Sequence, residues 1–108
     1  LDGTKYIHIH TPCPPGWGFE TRYSIKIGRL AVETGYFDLY EVEKGEFRLT
    51  GASEKLVEKR KLTPVGDYLR TQSRFRLLKD EQTAKIQAQV DAKWSRYWQA
   101  AEQAAAAE

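Results

Sequence analysis

At 108 residues, with 41% apolar and 30% charged side chains, the chain has the balance of one globular domain and not of a disordered segment. A domain of that size buries a smaller share of its surface than a large enzyme core, which leaves little surplus stability for enclosing a site alone. Its single cysteine, Cys13, excludes an internal disulfide and cannot build a metal site unaided. No apolar run approaches the roughly 18 residues that a membrane span needs. The chain opens on Leu1 and contains no methionine, which leads us to expect a processed or excised piece of a larger protein.

The net charge of +2 is unevenly spread. The first half is close to neutral, whereas from Lys55 to Lys79 only Glu58 and Asp67 oppose a run of lysines and arginines. Such a stretch serves as a solvated face or subunit contact, or steers an acidic partner.

In chain order, Tyr6-Ile7-His8-Ile9-His10 reads as a short strand, with Tyr6, His8 and His10 on one face and Ile7 and Ile9 on the other. It stops at Thr11-Pro12-Cys13-Pro14-Pro15-Gly16-Trp17-Gly18, where the prolines and glycines predict a stiff loop without regular structure that holds Cys13. Ser24 to Thr34 reads as a helix with Ile27, Leu30, Ala31 and Thr34 on one stripe, Ser24 as cap and Gly35 just past the end. Gly28 inside it costs about 1 kcal/mol relative to alanine and suggests a close neighbour.

Phe37–Val42 and Glu46–Thr50 read as two strands of a hairpin around Glu43-Lys44-Gly45. Neither face of the first strand is cleanly apolar, so it is expected at an edge or under another chain. Pro64 opens a helix behind Thr63 as cap, with Val65, Tyr68 and Leu69 facing inward and Gln72, Phe75 and Leu78 extending the pattern. Residues 80–108 read as a long terminal helix, in which Thr83, Ile86, Val90, Trp94, Tyr97 and Ala101 recur every three or four positions. Trp94 and Trp98, one turn apart, suggest docking on a partner, and the alanine-rich end is expected to fray.

Cys13 is the sharpest chemical candidate. It is either a small buried hydrophobe or a thiolate ligand presented by its Pro/Gly cage. His10 could serve it as a base, and His8 and His10 could join it at a metal, but neither an orienting group nor a fourth ligand is evident. Both histidines also fit as ordinary strand residues. Arg74 and Arg76 around Phe75 could attract a phosphate or a nucleobase, or belong to a subunit seam. The sequence contains no GxGxxG, Walker-type phosphate loop, CxxC or HExxH.

The loop Thr11-Pro12-Cys13-Pro14-Pro15-Gly16-Trp17 resembles the 2-oxoacid:ferredoxin oxidoreductase family. The likeness continues through Ile27–Gly35, Leu39-Tyr40-Glu41, Phe47–Thr50, Pro64-Val65, Asp67-Tyr68-Leu69 and Arg74-Phe75-Arg76, so that it spans nearly everything before the alanine-rich tail. It implies an α/β fold, with residues 1–108 as the C-terminal segment of a thiamine-diphosphate-binding β subunit: a strand, a cysteine-bearing loop, a helix, a β-hairpin and C-terminal helices. By the same resemblance Cys13 is the last thiolate of a [4Fe–4S] cluster. Thiamine diphosphate and Mg²⁺ are then held by segments outside this sequence.

The implied reaction is CoA-dependent oxidative decarboxylation of a 2-oxoacid with electrons passed to ferredoxin, in a cytoplasmic multi-subunit complex. Its partners are the other subunits, ferredoxin, the 2-oxoacid and coenzyme A; neither nucleic acid nor membrane is among them. The family's thiamine motif and its three other cluster cysteines are missing from this sequence, so the chain alone is expected to be inactive. The alternative is a basic module that binds an acidic protein or single-stranded nucleic acid through Lys59, Arg60, Lys61, Arg74 and Arg76 without catalysis. A third reading is an assembly domain in which Cys13 is inert.

Overall fold

The computed structural model describes residues 2–107. In chain order it comprises helix α1 (Pro14–Trp17), a 3₁₀ turn (Thr21–Tyr23), helix α2 (Ser24–Glu33), strands β1 (Tyr40–Glu43) and β2 (Glu46–Leu49), helices α3 (Gly51–Lys59) and α4 (Val65–Leu69), a second 3₁₀ turn (Ser73–Phe75), and helix α5 (Asp80–Ala107). The core lies where α2, α4 and α5 meet: Ile27 and Ala31 from α2, Val65, Tyr68 and Leu69 from α4, and Val90 and Trp94 from α5. Burying the side chains of Ile27, Val65, Leu69 and Val90 contributes about 1.5–3 kcal/mol each.

Of the stripe expected on α2, Ile27, Ala31 and Thr34 follow one another at helical spacing and are fully enclosed, while Leu30 is partly buried against the same core. The N-terminal cap is corrected. Tyr23 precedes the helix, and the Ser24 hydroxyl instead donates to the Thr21 carbonyl at 2.7 Å, closing the 3₁₀ turn. At the other end Gly35 has φ +75° and donates its N–H to the Val32 carbonyl at 2.9 Å, as expected of a residue just past a helix. The neighbour of Gly28 is Pro12, whose ring a Cβ there would meet at 3.6 Å, an ordinary contact that an alanine would tolerate.

The hairpin is present and shorter than expected. β1 and β2 are antiparallel, with Tyr40 opposite Leu49 and Val42 opposite Phe47. Lys44 and Gly45, both at positive φ, make the two-residue turn whose twist suits antiparallel strands. Residues 37–39 and Thr50 lie outside the ladder: the Phe37 N–H donates to the Ala31 carbonyl at 2.9 Å and the Leu39 N–H to the Ser53 hydroxyl at 2.8 Å, which leaves only the Thr50 N–H to bond across, to the Leu39 carbonyl at 2.9 Å. Helix α3, which the sequence reading passed over as a basic stretch, starts at Gly51 and buries Ser53.

Helix α4 begins one residue later than expected. Pro64 is its cap, not Thr63, and the orphan N–H of Val65 is satisfied from α5 by Gln87 Oε1 at 2.7 Å. Gln72, Phe75 and Leu78 face inward as read, but from a turn and not from a continued helix. α5 follows the expected span through Ala107, and Glu108 lies outside the described residues.

Two further expectations are overturned. Tyr6–His10 forms no ladder among the described residues, because no strand lies alongside to pair with it. The proline-rich loop is not devoid of regular structure, since Pro14–Trp17 closes one helical turn. Proline is tolerated at the first positions of a helix, where the missing N–H has no intrahelical acceptor.

Candidate functional site

Cys13 stands immediately before α1, in extended conformation, with its thiol free and exposed; it is not a buried hydrophobe. Its carbonyl accepts the Trp17 N–H at 2.8 Å, and the Pro14 carbonyl accepts those of Gly18 and Phe19 at 3.0 and 3.2 Å. The turn is thus held from within. Gly16 lies beside the sulfur: a Cβ added there would sit 3.2 Å from Cys13 Sγ.

The loop is also pinned from below. Gly18, at φ +77°, accepts the Ser73 N–H at 2.9 Å, and a Cβ at this position would overlap the Ser73 side chain. Next to it, the Arg74 guanidinium lies 3.9 Å from the Trp17 ring centre and 4.4 Å from that of Phe75. A cation over an aromatic face is drawn to the ring quadrupole. Arg74 Nε donates to Gln72 Oε1 at 2.8 Å and Nη2 to the Tyr68 hydroxyl at 3.3 Å. Arg74, read as a phosphate or nucleobase contact or as part of a subunit seam, is therefore engaged in bracing the cysteine loop.

Tyr68 extends the network. Its hydroxyl is 3.3 Å from His10 Nε2, and the His10 ring packs on Phe37 (4.7 Å between centres) and Trp17 (5.3 Å). Burial lowers the His10 pKa below its usual 6.5, and the positive charge of Arg74 and the neighbouring His8 push it the same way. Burial raises that of Tyr68. A neutral imidazole accepting at Nε2 from a protonated phenol, which in turn accepts from Arg74, satisfies all three groups. His10 is therefore tied to Tyr68, not poised as a base for Cys13. Among the described residues no three His, Cys, Asp or Glu side chains are grouped to hold a metal, which removes the His8/His10/Cys13 metal site.

The remaining candidates separate. Arg60 pairs with Glu102 of α5, and Arg76 donates to the Ser73 carbonyl at 3.0 Å, so the five basic side chains of the binding-module reading do not act as one free patch. Trp94 does not dock on a partner: it is wholly buried and donates its indole N–H to the Gly35 carbonyl at 3.0 Å. Trp98 is only partly buried, packed at the margin of the same core.

A second polar cluster escaped the sequence reading. Asp38, just before β1, accepts from the Tyr97 hydroxyl at 2.7 Å and lies 3.0 Å from Lys93 Nζ, which joins the hairpin to α5. Burial raises the Tyr97 pKa, and the bond to the Asp38 carboxylate raises it further. The available signal was the placement of Lys93 and Tyr97 one helical turn apart, with an acid set into the apolar run Phe37-Asp38-Leu39.

No protein-family model matches the chain. Known proteins do. Over 91 residues, 84% of this chain and 30% of the relative, it is 50% identical to pyruvate synthase subunit PorB of Methanothermobacter marburgensis. It is 46% identical over 93 residues to the protein of the same name from Methanocaldococcus jannaschii, covering 86% of the chain and 29% of the relative. It is 35% identical over 102 residues to ketoisovalerate oxidoreductase subunit VorB of Pyrococcus furiosus, covering 94% and 32%. Each of these relatives is a subunit of an enzyme. The chain belongs with them to the 2-oxoacid:ferredoxin oxidoreductase family, of which it spans about 30% of the length of a PorB subunit.

Proposed function

We propose that residues 1–108 are the C-terminal segment of the thiamine-diphosphate-binding β subunit of a cytoplasmic 2-oxoacid:ferredoxin oxidoreductase, and that Cys13 supplies one thiolate to its [4Fe–4S] cluster. The observation that carries this reading is the 50% identity to a PorB subunit over most of the chain. The local chemistry supports it. A thiolate is the ordinary protein ligand of such a cluster, the Cys13 thiol is exposed, and the glycine beside it leaves one flank of the sulfur without a side chain.

The cluster, when bound, takes up and passes on single electrons. The part of this chain is to aim the sulfur. The Pro14–Trp17 turn sets the direction of Cys13, the Gly18–Ser73 hydrogen bond holds the turn to the body, and Arg74 clamps Trp17 from the other side. Thiamine diphosphate and Mg²⁺ are assigned no residue here, since no motif of this chain matches their ligands. The complete enzyme on this reading carries out CoA-dependent oxidative decarboxylation of a 2-oxoacid, with ferredoxin as electron acceptor. The exposed side of α5 and Trp98 then meet a neighbouring subunit.

The test is Cys13→Ala in the complete complex, with iron, sulfide and thiamine diphosphate assayed per complex. Iron and sulfide are expected to fall while thiamine diphosphate stays. Full iron content in an active Cys13→Ala complex overturns the assignment.

A further inference from the structure

We propose that His10 is a pH-sensitive latch on the cysteine loop: as a neutral ring it lets Tyr68 hold Arg74 against Trp17, and when protonated it releases that clamp. The inference rests on the reading of the Cys13 loop as the functional site. Its basis is a shared hydroxyl. The Tyr68 oxygen lies 3.3 Å from His10 Nε2 on one side and 3.3 Å from Arg74 Nη2 on the other. Tyr68 is fully buried, so its hydroxyl has no solvent to turn to. With His10 neutral, the phenol proton goes to Nε2 and the oxygen accepts from Arg74.

A proton on Nε2 turns that acceptor into a donor. Two cationic donors then face one oxygen, and the Tyr68 proton is left buried without an acceptor. Of the two cations, Arg74 is the one that can leave. The His10 ring is packed on Phe37 and Trp17, with centres 4.7 and 5.3 Å apart. Arg74 is exposed and pairs with no carboxylate among the described residues. Its other contacts are the neutral Gln72 Oε1 at 2.8 Å and the faces of Trp17 and Phe75.

The surroundings of His10 keep the latch closed near neutral pH. Burial, the charge of Arg74 and the neighbouring His8 all favour the neutral ring. Asp38 follows Phe37 in the chain, but its carboxylate is engaged by Tyr97 and Lys93 and not by His10. The proton therefore arrives below the ordinary 6.5 of a histidine. What it releases bears directly on the loop. The Trp17 N–H closes the turn on the Cys13 carbonyl at 2.8 Å, and Ser73, next to Arg74, donates to the Gly18 carbonyl at 2.9 Å. Freeing Arg74 removes the cation that presses the Trp17 ring toward this pair of bonds.

Hydrogen exchange of the complete complex tests this at about pH 7.5 and about pH 5, each read against unstructured peptide at the same pH. In the parent, protection of the Trp17, Gly18, Phe19 and Ser73 amides is expected to fall at least about tenfold at the lower pH. It is expected to be equal at the two pH values in His10→Gln, which accepts from Tyr68 without titrating, and in Tyr68→Phe, which cuts His10 off from Arg74. His8→Gln should keep the fall seen in the parent. Protection in the parent that does not change with pH overturns the proposal. An equal fall in the parent and in Tyr68→Phe places the sensitive group elsewhere and also overturns it, whether or not His10→Gln assembles; so does loss of the fall in His8→Gln. None of these readouts uses iron, so failure here is told apart from failure of the cluster assignment, which Cys13→Ala tests.

Discussion

The Trp94 indole donates its N–H to the carbonyl of Gly35, joining the middle of α5 to the end of α2 across 59 residues of sequence. The two residues need one another sterically as well. Gly35 has φ +75°, and a Cβ there would lie 2.3 Å from Trp94 Nε1. Trp94→Phe keeps most of the buried surface but leaves that carbonyl without its donor, at a cost of about 1–3 kcal/mol. Gly35→Ala is expected to cost more, since it adds backbone strain to a clash with a fully buried ring. Chemical denaturation of the two variants checks the order, and equal stability of Gly35→Ala and the parent chain would contradict it.

Tyr97→Phe removes the donor that Asp38 accepts at 2.7 Å and leaves Lys93 to hold the carboxylate alone. A loss of about 1–3 kcal/mol is expected. The pH dependence carries a sharper signature. The Tyr97 pKa is raised in the folded chain above its ordinary 10.0 by burial and by the bond to Asp38. The unfolded phenol therefore ionises first. The stabilisation is full below about pH 10 and is lost as pH climbs toward the folded value. The stability difference between the parent chain and Tyr97→Phe should shrink across that alkaline range, as followed by denaturation at stepped pH; a constant difference would refute the bond's role.

What was legible in the sequence follows from which residues act locally. The buried positions Ile27, Ala31 and Thr34 of α2, the hairpin around Glu43-Lys44-Gly45 and the span of α5 are each set by neighbours within a few residues, and each was legible in the sequence. The loop cysteine and its family resemblance were legible for the same reason. Helix α3 was not, because its nine residues hold few large apolar side chains, Leu56 and Val57, and only Ser53 is buried. The brace beneath the site was also hidden. Arg74 looked like a surface cation, and only the fold brings it to Trp17, far away in sequence. Trp94 was misassigned because periodicity gives the face on which a residue lies and not whether that face is covered by the same chain.

His10 should titrate below 6.5, since burial, Arg74 and His8 all favour the neutral ring. The sign for stability follows. The unfolded histidine takes up its proton first, so the contribution is complete above about pH 6.5 and is lost as pH falls toward the lower folded pKa. Arg74→Leu removes the largest charge acting on the ring, and the His10 pKa is expected to move back up toward 6.5. Imidazole proton shifts followed by NMR during a pH titration read this directly. An unmoved His10 in Arg74→Leu would mean that the charge of Arg74 plays no part in setting its value.

Gly16 poses a different question, because its backbone is not in the left-handed region and its place in a helical turn favours alanine. The reason for glycine at this position is the sulfur, which an added Cβ would approach to 3.2 Å. Gly16→Ala is thus expected to leave the melting temperature of the protein unchanged or slightly higher. In the complete complex it should lower iron and sulfide content, or alter the electron paramagnetic resonance signal of the reduced cluster, because the methyl group would crowd the Cys13 sulfur at 3.2 Å. A thermal melt and an iron assay on the same preparation separate the two effects. A Gly16→Ala complex with full iron and an unaltered signal would show that the space beside Cys13 is not needed, and would weaken the assignment of its thiol as a ligand.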